Sequence, residues 1–164
     1  MQTKPLFALL TAALFLSACR SPTPPAAPIE SPVTDSCAVL TPAEISAVIG
    51  VPIDPGKHNI ASSTIMCSWF MTGVPGEAGV RLVLNFTSLA SFQKEKNATS
   101  SNITLTPASG IGDEAFYVTT EFGTSLYIRK GSTAIAFSIH DKTLPADQLM
   151  AKEKILGLKA ATRI

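Results

Sequence analysis

Apolar positions recur in two periods along residues 37–164, and each change of period marks a new element. Ile45, Val48 and Ile49 share one helical face. The residues before them supply a start: Thr41 to cap the free amides, Pro42 at the first helical position and Glu44 to complete a capping box. Gly50 predicts the stop. Residues 63–70 read as a strand carrying Cys67, and a Gly/Pro turn over Gly73–Gly79 follows. The alternation Val80, Leu82, Leu84, Phe86 then predicts a second strand with one apolar face. Ser88 predicts the cap of a short helix through Asn97, carrying Leu89 and Phe92, and residues 97–102 read as polar loop. Strands are predicted at 115–119, 125–129 and 134–140. Their separators contain Gly123 and Gly131 and are short enough for antiparallel hairpins. From Pro145 onward, Leu149, Lys152, Ile155, Leu156 and Lys159 lie at helical spacing, with Gly157 weakening the end of that helix. The pattern predicts a single α+β domain over 37–164, a mainly antiparallel sheet of about five strands covered by two to three helices.

The first nineteen residues follow neither period. Lys4 gives a short positive region, and residues 5–16 form an apolar run of 12 residues. A spanning helix needs about 20 apolar residues, whereas this run fits the core of a signal peptide. Leu16-Ser17-Ala18-Cys19 resembles the lipobox of bacterial lipoproteins. The resemblance implies that residues 1–18 are a signal peptide, that the Cys19 sulfur takes a diacylglyceryl group, and that a peptidase then cuts before it. The chemistry agrees, because a thiol is the best side-chain nucleophile for accepting the lipid and small residues before it let a peptidase close on the bond. Arg20 stands where Asp signals inner-membrane retention in enteric bacteria. In a cell with two membranes the resemblance therefore points to the periplasmic side of the outer one. The competing readings are an ordinary signal peptide with an incidental cysteine, or a cytosolic helix.

Residues 20–36 carry prolines at 22, 24, 25, 28 and 32 among Ser and Thr. Such a segment favours extended polyproline II, and at about 3.1 Å per residue it reaches roughly 50 Å. With Cys19 it forms a lipidated tether, 19–36, ahead of the domain. Of three cysteines, lipidation of Cys19 leaves two, and Cys37 and Cys67 then form a natural disulfide in an oxidising compartment. The alternatives are a metal site or a catalytic thiol, and neither cysteine has the local spacing of a zinc site.

Composition sharpens this division. The chain has a formal charge of +1, 46% hydrophobic residues and 15% charged residues. Part of the hydrophobic excess sits in the signal segment. Loss of Lys4 with that segment leaves twelve basic and twelve acidic side chains. Nucleic acid is excluded as a partner by the lack of a basic footprint, and net charge gives no attraction to an anionic membrane. The membrane is reached through the lipid.

Three further segments carry a second resemblance: Cys37-Ala38-Val39-Leu40-Thr41-Pro42-Ala43-Glu44 continuing to Val48-Ile49-Gly50; Cys67-Ser68-Trp69; and Gly110-Ile111-Gly112-Asp113-Glu114-Ala115-Phe116-Tyr117 with the hairpin ending Ile128-Arg129-Lys130-Gly131. Their order and spacing resemble small bacterial lipoproteins and secreted proteins carrying a disulfide-stapled domain of unknown function. In that group the cysteine at the first helix pairs with one on the next strand. The chain is also distantly similar to extracellular sensor domains of receptor-type bacterial kinases, without their kinase segment. Both likenesses bear on fold and location and leave the activity open.

No catalytic constellation appears. Gly110–Glu114 lacks the third glycine of a dinucleotide loop and any Walker lysine, so no cofactor is expected. Asp113 and Glu114 are the candidate binding residues, as a cation or ligand contact. The competing reading is a glycine turn in which Asp113 bonds backbone amides. His58 reads as a solvated loop residue, His140 ends a strand, and no metal pair is implied. Trp69 is expected to pack against the disulfide. The reading that follows is a lipid-anchored, non-enzymatic envelope module binding an envelope protein or a small ligand. The alternative is an envelope hydrolase whose site is assembled from dispersed residues such as Asp113, Glu114 and His140.

Overall fold

The computed structural model describes residues 33–74 and 78–164. The signal segment, Cys19 and most of the proline-rich stretch lie outside them. Among the described residues no helix is long and apolar enough to cross a membrane.

Eleven elements follow in order: α1 (Ser36–Val39), α2 (Pro42–Ile49), β1 (Lys57–His58), β2 (Met66–Phe70), β3 (Arg81–Thr87), α3 (Leu89–Lys96), β4 (Thr104–Pro107), β5 (Glu114–Thr120), β6 (Gly123–Lys130), β7 (Thr133–His140) and α4 (Ala146–Ala161). The strands form one sheet in the order β1-β2-β3-β7-β6-β5-β4, and every neighbouring pair is antiparallel. The α+β expectation holds at that level, but the described residues form seven strands and four helices rather than about five strands and two to three helices. The additions are short: β1 has two residues, β4 four and α1 four. None spans enough residues to show a period, and Pro107 in β4 is tolerated because β4 is an edge.

The predicted start of α2 is built as the sequence implies. Thr41 Oγ1 accepts from the Glu44 amide at 3.3 Å, the Thr41 amide donates to Glu44 Oε2 at 3.0 Å, and Gly50 closes the helix at φ +92°. Residues 33–36, proline-free and assigned by composition to the spacer, are joined to the domain. The Val33 amide donates to the Arg163 carbonyl at 3.0 Å, and Asp35 caps α1.

Strand alternation divides the interior between two faces. Leu126 and Ile128 of β6, with Ile135, Phe137 and Ile139 of β7, face α4 in the main core. Phe116 and Val118 of β5 and Ala134 of β7 form a second cluster with Phe92 of α3. There the rings of Phe92 and Phe116 meet edge to face and those of Phe116 and Tyr127 stack, each at 5.1 Å. Helices therefore cover both faces of the sheet. Gly157 does not end α4, which continues to Ala161. A Cβ there would lie 2.7 Å from Leu126 Cδ2, so the missing side chain lets the helix lie down on β6.

Candidate functional site

Asp113 and Glu114 sit at the end of the sheet where the β6–β7 turn closes. Gly112 adopts φ +59°, and a Cβ on it would meet the Arg129 carbonyl oxygen at 2.5 Å. That close approach lets the Asp113 amide donate to the same oxygen at 2.8 Å. Asp113 Oδ2 in turn accepts from the Gly131 amide at 2.7 Å. Glu114 lies between Lys96 and Arg129, the latter donating from Nε at 3.3 Å. Its carboxyl is held below the ordinary range chiefly by the Lys96 contact, with Arg129 adding to it, against an opposing effect of burial second only to the Lys96 contact. Both carboxylates are thus engaged within the fold. Glu114 also borders a groove of about 380 Å³ beside β4, with Leu105, Pro107 and Phe116.

His140 is elsewhere. Arg129 pairs with Glu114 on one side, and its β6–β7 partner is Ala134. His140 ends β7 six residues further along, about 20 Å away at roughly 3.3 Å per residue. The structure does not bring Asp113, Glu114 and His140 into one cleft.

At His140's end of the sheet lies a cleft of about 370 Å³, within the range of small-ligand sites. Ile139, Leu144 and Leu149 give it apolar walls, and Glu121, His140, Asp141 and Lys142 add polar ones. Asp141 shapes one wall by accepting from the Thr143 amide at 2.9 Å and hydroxyl at 2.6 Å. Phe122 stands on the rim at the tip of the β5–β6 hairpin, 86% exposed. A smaller depression adjoins it, sharing His140 and Lys142 and adding Arg81. Little in the residue pattern announces this cleft. Phe122 sits in a stretch read only as a hairpin separator, and a lone aromatic in a turn has no period to betray it.

Behind the cleft floor, Glu153 of α4 is fully buried. Its Oε1 accepts from the Ile139 amide at 3.1 Å, while among the described residues neither Oε2 nor the neighbouring Thr124 Oγ1 has a partner in hydrogen-bonding geometry. Burial pushes this carboxyl up to about 7, opposed by the Ile139 amide and the Thr124 hydroxyl. Helical spacing from Leu149 and Leu156 does not single out a buried acid. Tyr117, whose hydroxyl donates to the Met150 carbonyl at 3.0 Å, is pushed up to about 12 by burial and by Glu153.

A third cluster surrounds the disulfide. Cys37 and Cys67 are bonded, with Cα atoms 5.1 Å apart. His58 is not a solvated loop residue. It is half-buried in β1, directly opposite Cys67 in register, and its Nε2 is 2.8 Å from Asp35 Oδ1. The short β1 strand, invisible as a pattern, is what turns it inward. Trp69 is fully buried, and its Nε1 and Cys67 Sγ both lie 2.6 Å from the point where a side chain on Gly56 would begin. Cys19 lies outside the described residues. Comparison with protein-family models, curated proteins and solved structures found no match to this chain.

Proposed function

We propose that the protein is a lipid-anchored cell-envelope module of the small-lipoprotein type that binds a partner at the Phe122 cleft and performs no chemistry on it. The observation that carries this reading is the polarity of the domain. The chain enters at Val33, beside Ile65, Phe86 and Thr133 at one end of the sheet. The cleft lies beside His140 at the other end of β7. Seven residue steps along that strand separate the two ends by about 23 Å. Val33, the first described residue, and the Phe122 cleft thus lie at opposite ends of the sheet.

The cleft chemistry supports a partner with an apolar anchor. Exposing a phenyl ring at a turn forgoes about 2 kcal/mol of burial, which a partner's apolar side chain recovers on docking. The polar wall residues then set orientation, as in pockets where a few polar groups fix a mainly apolar contact. A small envelope ligand fits the same volume.

The test compares native pull-downs from envelope extracts using the lipidated protein, Phe122→Ser, Leu158→Ser on the exposed face of α4, and Cys19→Ala. The reading predicts loss of the recovered partners with Phe122→Ser and their retention with Leu158→Ser. The Cys19→Ala form is expected in the soluble fraction. Equal recovery by the Phe122 and Leu158 variants would refute the cleft assignment.

A further inference from the structure

Four side chains able to ligate metal meet where α1, β1 and β2 come together. Asp35 caps α1, and its Oδ1 lies 2.8 Å from both the Cys37 amide and His58 Nε2. The ligand atoms of Asp35, Cys37 and His58 all fall within 4.8 Å of one another, and all three residues are half-buried. Cys67 joins them through its bond to Cys37 and its register position opposite His58. While the disulfide is closed, neither sulfur is a thiolate, the form that binds metal.

A second observation points the same way. Trp69 Nε1–H is fully buried and has no hydrogen-bond acceptor among the described residues. It borders the same point beside Gly56 as Cys67 Sγ. A disulfide sulfur is a poor acceptor, whereas a metal-bound thiolate takes hydrogen bonds readily, and such outer contacts tune metal sites. The orphaned indole donor is therefore placed to serve the reduced state of Cys67.

We propose that reduction of the Cys37–Cys67 disulfide turns this corner into a binding site for a zinc-class divalent cation, held by Asp35, Cys37, His58 and Cys67. The donor set of two sulfurs, one imidazole nitrogen and one carboxylate oxygen suits a tetrahedral, borderline-soft ion and not calcium or magnesium, which take oxygen ligands. The electron balance needs a dithiol reductant. Two electrons and two protons pass from it to the disulfide, giving two thiols here and a disulfide on the reductant. The cation then displaces both thiol protons to solvent. With zinc–sulfur bonds of about 2.3 Å the two sulfurs separate to roughly 3.8 Å. The cation closes the same loop the disulfide closed, so one staple replaces another.

The experiment uses the full chain carrying Cys19→Ala, so that Cys37 and Cys67 are its only thiols. The protein is reduced, freed of reductant without air, and titrated with Co²⁺ and then Zn²⁺. One equivalent of Co²⁺ is expected to give thiolate-to-metal absorption and the visible bands of a tetrahedral site in the reduced protein only. Zn²⁺ is expected to displace it and to raise the Tm of the reduced protein, leaving the oxidised protein unchanged. His58→Ala is expected to weaken binding by at least about tenfold, and Asp35→Asn to weaken it less. A flexible dithiol also captures zinc, so the His58 variant decides the matter: undiminished affinity there overturns the proposal. So does a reduced chain that binds no cobalt, or one whose circular dichroism shows lost structure that the metal does not restore.

Discussion

The buried carboxylate of Glu153 makes the stability of the domain depend on pH in a direction opposite to that of a salt-bridged acid. Its surroundings offer one amide, from Ile139, and leave Oε2 beside a Thr124 oxygen that also lacks a partner. Protonating the carboxyl removes a charge from the core, and that gain outweighs the stabilisation the Ile139 amide and the Thr124 hydroxyl give the ionised form. The folded state thus holds the proton more tightly than the unfolded chain. Stability from this group is complete below the unfolded value of 4.5 and falls as pH rises toward the folded value of about 7. At roughly 1.4 kcal/mol per pH unit, the interval corresponds to about 3 kcal/mol lost by pH 8. Glu153→Gln keeps the acceptor for Ile139, supplies a permanent donor toward Thr124 and cannot ionise. Urea denaturation of both proteins at pH 5, 6, 7 and 8 measures the effect. The variant is expected to match the wild type within about 1 kcal/mol at pH 5 and to exceed it by about 3 kcal/mol at pH 8. His58 and His140 are present in both proteins, so the difference isolates Glu153. A difference that stays constant from pH 5 to pH 8 would refute the reasoning.

Other perturbations follow from the same structure. Glu44 is held near 2, mainly by the Arg163 guanidinium, with the Thr41 amide and hydroxyl adding to it. Its contribution is therefore present above the unfolded value of 4.5 and lost as pH falls toward 2, and Glu44→Gln is expected to flatten that acid limb in a thermal-unfolding series. Gly112→Ala forces a side chain into a left-handed conformation against the Arg129 carbonyl. It is expected to cost about 2 kcal/mol or more in urea denaturation. Reducing the Cys37–Cys67 bond without metal opens a loop with a sequence separation of 30. A loss of about 3–4 kcal/mol is expected on the chain-entropy account, read as a lower urea midpoint.

What the sequence revealed, and what it did not, follows from how far each signal extends along the chain. The capping box at Thr41 and Glu44 is a local rule with its whole mechanism inside four residues, and α2 forms where it implies. The β5–β7 meander was legible because each strand runs seven or eight residues, long enough for alternation to show. The pairing of β3 with β7 joins residues 47 to 59 positions apart, and no local pattern encodes it. Strand β1 forms because Lys57 and His58 lie against Ser68 and Cys67. That tertiary contact gives His58 its position beside Asp35, which the Gly/Lys/Asn surroundings hid. Gly157 illustrates the reverse error: low propensity suggested a weak helix end, whereas close packing on Leu126 makes the glycine an interior contact. Asp113 and Glu114 stood out as adjacent acids in a glycine-rich stretch. Only the fold showed which cations and amides they meet.

The central claim, that the Phe122 end of the domain engages a partner, is tested most directly by photo-crosslinking in intact cells. A photoreactive phenylalanine analogue is placed at position 122 and, separately, at position 158, whose leucine is also partly exposed. The account predicts a discrete crosslinked product from position 122 that is absent from position 158 and is reduced when Cys19→Ala removes the anchor. No product from position 122, or the same products from both positions, would contradict it.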